Sequence, residues 1–503
     1  MKTMITASIL YDLVQCPHRV TMDLFGDPAL KDPLNPFVQL LWERGNSFEK
    51  EVIDGLDIPY TDLHEYYEGE KERHTLEAMA RGDELIYSGR ISIEDLVGEP
   101  DILRKQDTGY IAGDIKSGTG EEGGSGNLDT KPKKHYAVQL ALYTDILERL
   151  GFSGGRTPFV WDVHGEEVEY TLDDPQSSRN PASLWDEYQS VLETARRLVV
   201  QAEETRPALV STCKLCHWYT ACTKKLELLD DLTLIPELGR VRRDNMLIHV
   251  SSVRDLADAN LETLIRGKKT VIPRIGSDML IKFQERARLQ KQPGALPYLK
   301  EPVYLPSSDF ELFFDIETDP LRDVCYLHGF VERRGGASNT ERYIAFFAEQ
   351  PTLEAEEIAF AEAWAYIQNS QPCAIYYYSP YERTMWRKLQ KKYPHIASEY
   401  DIAELFNWRM AVDLYIDVVR SKSVWPTRDY SIKTLASYLD FKWRDPNPSG
   451  AASIEWYHSW VKSGDPEIRQ RILDYNKDDC IAMRVLLDAI RDLPILHQPG
   501  ESE

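Results

Sequence analysis

Four cysteines place the tightest constraint on how this chain can fold. Cys16 stands near the N-terminus, while Cys213, Cys216 and Cys222 form a C-x2-C-x5-C group far downstream. Cysteine thiolates in fours hold zinc or iron–sulfur clusters. A ligand set split in this way makes the metal a clasp that closes everything between its two ends. The alternative is that the three later cysteines are ordinary buried thiols and Cys16 is unrelated to them. Seven cysteines in 503 residues are too few for a disulfide scaffold, and the paired spacing favours metal in a reducing cytoplasm.

A chain of 503 residues is too long for one ordinary core, and 42% apolar residues is a globular composition. The fold class expected is α/β multidomain, in three parts and a tail. Residues 1–224 mix N-terminal helices, strands around 84–115 and a long helix from His135 to Leu150. Between the last strand and that helix, the Gly-, Ser- and charge-rich run Ser117 to Lys134 predicts a mobile loop over the strand end. Residues 225–305 read as a helical spacer, in which Ile272-Pro-Arg-Ile-Gly276 and the basic helix through Arg288 resemble a helix-hairpin-helix unit. Pro297, Pro302 and Pro306 mark a linker, residues 306–495 alternate strands with helices, and 496–503 form a polar tail. The N-terminal run carries Asp12 in its apolar stretch and no cleavage site, so neither a signal peptide nor a membrane span is expected.

The net charge of −23 argues against a generic nucleic-acid coat, because phosphate binding draws on positive surface. Carboxylates gathered around divalent ions are a different matter, since the filled site attracts phosphate. Lys131/Lys133/Lys134, Arg240/Arg242/Arg243 and Arg387/Lys388/Lys391/Lys392 are candidate basic tracks, or plain solvated faces.

The first constellation lies on the strand Tyr110 to Lys116, whose period of two puts Asp114 and Lys116 on one face and Ile111 and Ile115 on the other. Asp101 in Gly98-Glu-Pro-Asp101 adds a carboxylate. Carboxylates hold a divalent ion that polarises a phosphate and activates water, and a lysine positions that water. Gln139 and Tyr143 stand four apart on the following helix and project from one side. The second constellation is Asp315 and Glu317, alternating on the apolar strand Leu312 to Thr318, with Tyr475 and Asp479 four apart on a late helix. Two acids on a buried strand are costly unless a metal uses them. Glu382 follows the strand-like Ala374 to Tyr378, and Asp413 and Asp478 are reserve ligands.

The order Asp101, Asp114-x-Lys116, with Gln139-x-x-x-Tyr143 and the four bracketing cysteines, resembles the RecB-like PD-(D/E)xK nucleases with an iron–sulfur cluster, a group that includes CRISPR-associated and AddB-type proteins. The resemblance implies a restriction-endonuclease-like core, catalytic Asp101, Asp114, Lys116, Gln139 and Tyr143, and a 4Fe-4S cluster on Cys16, Cys213, Cys216 and Cys222. The family's metal-binding histidine falls at Phe48, which shares a helical face with Val52, Ile53 and Leu56 and reads as core; Glu49 beside it is the substitute ligand. The C-terminal blocks resemble DEDD exonucleases of the RNase H-like superfamily in the tyrosine variant, with Glu382 where most members carry Asp. The stretch Tyr430-Ser-Ile-Lys-Thr-Leu-Ala436 fits a RecB-associated branch of them. This resemblance implies that Asp315, Glu317, Glu382 and Asp479 hold two Mg2+ or Mn2+ ions about 3.5–4 Å apart, with Tyr475 orienting the attacking water.

The function expected is metal-dependent trimming of nucleic-acid ends, with single-stranded DNA favoured, RNA possible and 3'-to-5' polarity at the second centre. The competing reading makes the N-terminal region a non-catalytic iron–sulfur module that binds strands or a partner. No Walker lysine loop is present, so any unwinding belongs to a separate helicase, or to a CRISPR or repair partner.

Overall fold

Alternation along Gly109–Ile115 buries both faces of one strand, and that strand organises the N-terminal half. The structure is a computed structural model that describes residues 3–123, 130–177, 180–446 and 448–496. Its chain divides into two units, Met1–Pro207 with Thr212–Cys222, and Ala208–Ser211 with Thr223–Glu503.

In the first unit, strands β1 (Thr61–Asp62), β2 (Leu85–Tyr87), β3 (Ile102–Gln106), β4 (Gly109–Ile115), β5 (Phe159–Trp161) and β6 (Glu167–Glu169) form one sheet in the order β6-β5-β4-β3-β2-β1. The pairs β4–β5 and β1–β2 are parallel, and the other three are antiparallel. Helices α1 (Ala7–Gln15), α2 (Pro17–Phe25), α3 (Pro36–Asp54), α4 (Lys134–Leu150) and α5 (Leu184–Val199) surround it. Tyr110 and Ala112 join the main core with α1, α4 and α5, whereas Ile111 and Ile115 pack with Phe48 and Phe159 in a smaller cluster on the other face. Asp114 and Lys116 follow the parity of Tyr110, so they face α4. Gly98 is required here, because a Cβ would lie 2.6 Å from the Tyr143 ring. Beyond β4 the chain is less free than its composition suggests: Glu121–Gly123 pairs with Thr130–Pro132, and the tip of the expected loop, 124–129, lies outside the described residues.

The second unit holds strands β7 (Phe310–Asp319), β8 (Val324–Arg334), β9 (Ala337–Phe347), β10 (Ala374–Tyr377) and β11 (Ala411–Asp413) in the order β9-β8-β7-β10-β11. The hairpin-linked strands β7, β8 and β9 are antiparallel, and β7–β10 and β10–β11 are parallel. After helix α6 (Ser277–Lys291) come α7 (Leu353–Asn369), α8 (Tyr381–Lys392), α9 (Ile432–Tyr438), α10 (Gly450–Ser463) and α11 (Pro466–Asp492). Separate apolar clusters form on the two sides of the sheet, one with Trp386 of α8 and one with Leu486 and Leu487 of α11.

Residues 223–305 lie within this unit and have their own cluster, including Leu232, Met246, Leu256 and Phe283. Between the helix Val253–Asp258 and α6, which pack against each other, the chain forms a short ladder of Ile265–Arg266 with Lys269–Thr270. The proline-marked linker is tied down: Tyr298–Leu299 pairs with Ser423–Val424, and Leu299 exchanges backbone bonds with Pro494 and Leu496.

Candidate functional site

The central strand of the second unit presents Asp315 and Glu317 on one side, and α11 lays Asp479 beside them. Ligand oxygens of these three carboxylates all lie within 4.8 Å of one another, the only such group of His, Cys, Asp or Glu found among the described residues. Burial, then the charge of Asp479, raises Asp315 well above the usual carboxylate range and pushes Glu317 up to about 8. Asn476 donates from Nδ2 to Asp315 Oδ2 at 2.7 Å, and its own Oδ1 accepts from the Tyr343 hydroxyl at 2.8 Å. That crossing of α11 over β8 depends on Gly329, where a Cβ would fall 1.6 Å from Asn476 Oδ1. Like charges packed together without enough donors fit hard divalent cations such as Mg2+ or Mn2+.

Glu382, in the first turn of α8, is buried and stands outside the trio. Among the described residues its Oε2 has no hydrogen-bond partner, and burial, with the charges of Asp413 and Asp479, lifts its pKa well above normal. Of the two reserve acids, Asp413 keeps a buried Oδ2 that has no hydrogen-bond partner among the described residues. Asp413 Oδ1 accepts from the amides of Ser379, Tyr415 and Ile416, each at 3.0 Å. Asp478 is held by the Arg444 amide and guanidinium. Tyr475 and Asp479 share a face of α11 as their spacing requires. Lys433 of α9 donates to the Tyr475 hydroxyl at 2.8 Å, and Trp443 Nε1 donates to Asp479 Oδ1 at 2.7 Å. Sequence reasoning gave Asn476, Trp443 and Lys433 no role. The only signals were the position of Asn476 next to Tyr475 and that of Lys433 inside the Tyr430 to Ala436 stretch.

In the first unit, Lys116 Nζ lies 2.8 Å from Asp114 Oδ2. Asp114 is 1% exposed, and neither of its oxygens has a hydrogen bond of good geometry among the described residues. Asp101 Oδ2 accepts from the Ile115 amide at 2.8 Å, and burial, then the charge of Asp114, pushes Asp101 up to about 8. Glu49 of α3 accepts from the Tyr87 hydroxyl at 2.9 Å, and its charge reaches Asp101. Tyr143 is buried within reach of the charges of Asp114 and Asp101, and Gln139 lies half-buried one turn earlier. Glu49, Asp101 and Asp114 do not close to within 4.8 Å as the second trio does. Phe48 is 8% exposed among Ile53, Leu85 and Ile111, so the position expected of an imidazole is filled by core.

Cys16, Cys213, Cys216 and Cys222 are half-buried and outside any disulfide among the described residues. The Cys216 amide bonds to the Cys213 carbonyl at 3.0 Å and the Cys222 amide to the Trp218 carbonyl at 2.9 Å. Cys16 and Cys213 stand close enough for their charges to act on Cys216, whose thiol is raised chiefly by burial. The later segment is docked onto α2 by Asp23, which accepts from His217 Nε2 at 2.7 Å and Trp218 Nε1 at 3.0 Å.

Each basic track has members already held in ion pairs. Lys134 pairs with Glu187, Lys388 with Asp323 and Lys392 with Glu356, while Arg243 is 1% exposed in an ion pair with Asp231. Lys133 instead lies over the Tyr136 ring at 5.3 Å, a ring that Lys116 approaches to 5.7 Å.

Buried carboxylates on two separate sheets fit metal-dependent phosphodiester hydrolysis, and two nuclease-superfamily matches make the protein a nuclease. The PD-(D/E)XK nuclease superfamily model matches residues 36–223 and the RNase_H superfamily model matches residues 312–491, so the chain carries a domain of each kind. No curated protein matches the chain. Cys213, Cys216 and Cys222 fall inside the first match and Cys16 precedes it. No helix among the described residues is long and apolar enough to cross a membrane.

Proposed function

We propose that the protein trims nucleic-acid ends, with single-stranded DNA the preferred substrate and RNA an alternative one, and that its main hydrolytic centre is Asp315, Glu317, Glu382, Asp479 and Tyr475. The convergence of Asp315, Glu317 and Asp479 carries the reading. Those carboxylates would hold Mg2+ or Mn2+, which when bound neutralises charge on the phosphate and lowers the pKa of water. The protein's own contribution is placement. Asn476 fixes the rotamer of Asp315, Trp443 fixes Asp479, and the Tyr475 hydroxyl both donates and accepts where a water meets the phosphodiester. The polarity proposed is 3'-to-5'.

Asp101, Asp114, Lys116, Gln139 and Tyr143 form the second proposed centre, with Glu49 as an accessory ligand. A different reading of it is favoured by Phe48: with core in place of an imidazole, this site grips a strand or a partner, such as a helicase or a CRISPR or repair protein, without cutting. The two separate in one experiment on the full-length protein. End-labelled single-stranded DNA, duplex DNA and RNA are incubated with Mg2+ or Mn2+ and wild type, Asp114→Ala or Asp315→Ala. Loss of stepwise 3' degradation in Asp315→Ala alone assigns it to the second unit. A cleavage product that disappears only in Asp114→Ala makes the first centre catalytic, and no change in any product makes it a binding module.

The cysteines are proposed to hold a 4Fe-4S cluster that acts as a clasp. Four thiols, three of them sharing one electrostatic environment, fit soft-metal chemistry. Anaerobically purified protein should be brown, with broad visible absorbance. Cys213→Ser should bleach it and lower the melting transition of the first unit while leaving that of the second in place. Colourless protein carrying one zinc would replace the cluster with a zinc clasp.

A further inference from the structure

We infer that Lys433 is a positioning residue of the second centre, fixing the Tyr475 hydroxyl and, together with Trp443, the Asp479 carboxylate. The inference rests on the reading of that centre as the hydrolytic one.

Lys433 sits at the point where the two functional groups of α11 meet. Its Nζ donates to Tyr475 Oη at 2.8 Å and lies 3.5 Å from both oxygens of Asp479. The same ammonium stands over the Tyr475 ring at 4.9 Å and the Trp443 ring at 5.6 Å, so its aromatic walls restrict where it can move. Trp443 in turn donates to Asp479 Oδ1 at 2.7 Å. The lysine is delivered on a fixed support: Ser431 caps α9 by accepting from the Thr434 amide, and Asp429 accepts from both the amide and the hydroxyl of Ser431. Its charge also reaches Asp315 and Glu317.

A phenol has one proton to give and two lone pairs. With an ammonium donating to its oxygen, Tyr475 cannot turn that lone pair toward another donor, and its proton is left for a water, a phosphate oxygen or Asp479. Without Lys433 the hydroxyl keeps only its hydrogen bond to Asp479 and loses the donor that fixes its lone pair. A passive counter-charge would lower the repulsion among the acids but would not couple to the tyrosine, so the two roles make different predictions.

The test compares wild type, Lys433→Met, Lys433→Arg, Tyr475→Phe and Lys433→Met/Tyr475→Phe in the full-length protein, on end-labelled DNA and RNA with Mn2+. Lys433→Met should lower kcat by about 100-fold with KM little changed, and Lys433→Arg should recover part of the loss. The double variant should be no slower than the slower single one, because both remove the same device. Mn2+ affinity, followed by electron paramagnetic resonance, should be unchanged or tighter, since a competing cation has gone. Losses that multiply in the double variant, or a loss explained by weaker Mn2+ binding or by a fall in melting temperature shared with Lys433→Arg, would overturn the assignment. Retained wild-type cleavage in Asp315→Asn would instead sink the hydrolytic reading on which it stands.

Discussion

Replacing Asp315 by Asn should cost about three orders of magnitude in metal-dependent cleavage and, at the same time, raise the melting temperature of the metal-free protein. Both effects have one cause. Asp315 is buried on β7 against Asp479 and Glu317, and its ionised form is opposed first by desolvation and then by those charges. An amide at 315 keeps a carbonyl to accept from Asn476, so the local hydrogen bond that now ends on Oδ2 is retained. What disappears is the charge, which the metal needs and the metal-free fold must otherwise suppress. A gain of about 3 °C in calorimetry, with cleavage abolished, is the expected pair of results. A variant that cleaves normally would remove Asp315 from the site, and one that loses both activity and stability would make it structural.

The second large effect is in pH. Glu317 is pushed up to about 8 from 4.5, by burial and then by Asp479, and Asp101 in the other unit is also pushed up to about 8. A carboxyl raised in this way is protonated in the folded chain while ionised in the unfolded one. The folded state therefore binds more protons between about pH 4.5 and 8, and stability falls as pH rises across that window. The loss should amount to a few kcal/mol at pH 8 relative to pH 5 in chelator-treated protein. Divalent cations take the deprotonated form, so excess Mg2+ or Mn2+ should flatten the profile, and their binding should release protons, read by calorimetry in buffers of different ionisation enthalpy. A metal-free melting profile that is flat between pH 5 and 8, or one unaltered by Mn2+, would show that these carboxylates are compensated in some other way.

The sites were legible in the sequence to the extent that local periodicity fixes direction. The two-residue repeat of β7 puts Asp315 and Glu317 on one side, and the four-residue spacing on α11 puts Tyr475 and Asp479 on one face. The same rule oriented Asp114 and Lys116, and helical spacing placed Phe48, Val52, Ile53 and Leu56 in one apolar cluster. Where the reading failed, composition had stood in for contacts. The stretch marked as a linker by Pro297, Pro302 and Pro306 includes Tyr298–Leu299, which pairs with Ser423–Val424. Arg243 looked like part of a basic track and is buried on Asp231. Charge runs say nothing about which acids fold against them.

By itself the sequence determined the residue types, their faces and two α/β cores, because those follow from backbone geometry over a few neighbours. Only the tertiary structure decided which faces meet. It set α11 across β7 and β8 at Gly329, which brings Asn476 to Asp315 and Asp479 to Glu317. It placed Lys433 on Tyr475, and carried Cys16 into the field of Cys216. These are contacts between residues far apart in the chain, set by how helices cross a sheet and by where a glycine allows close approach, and no local pattern encodes them.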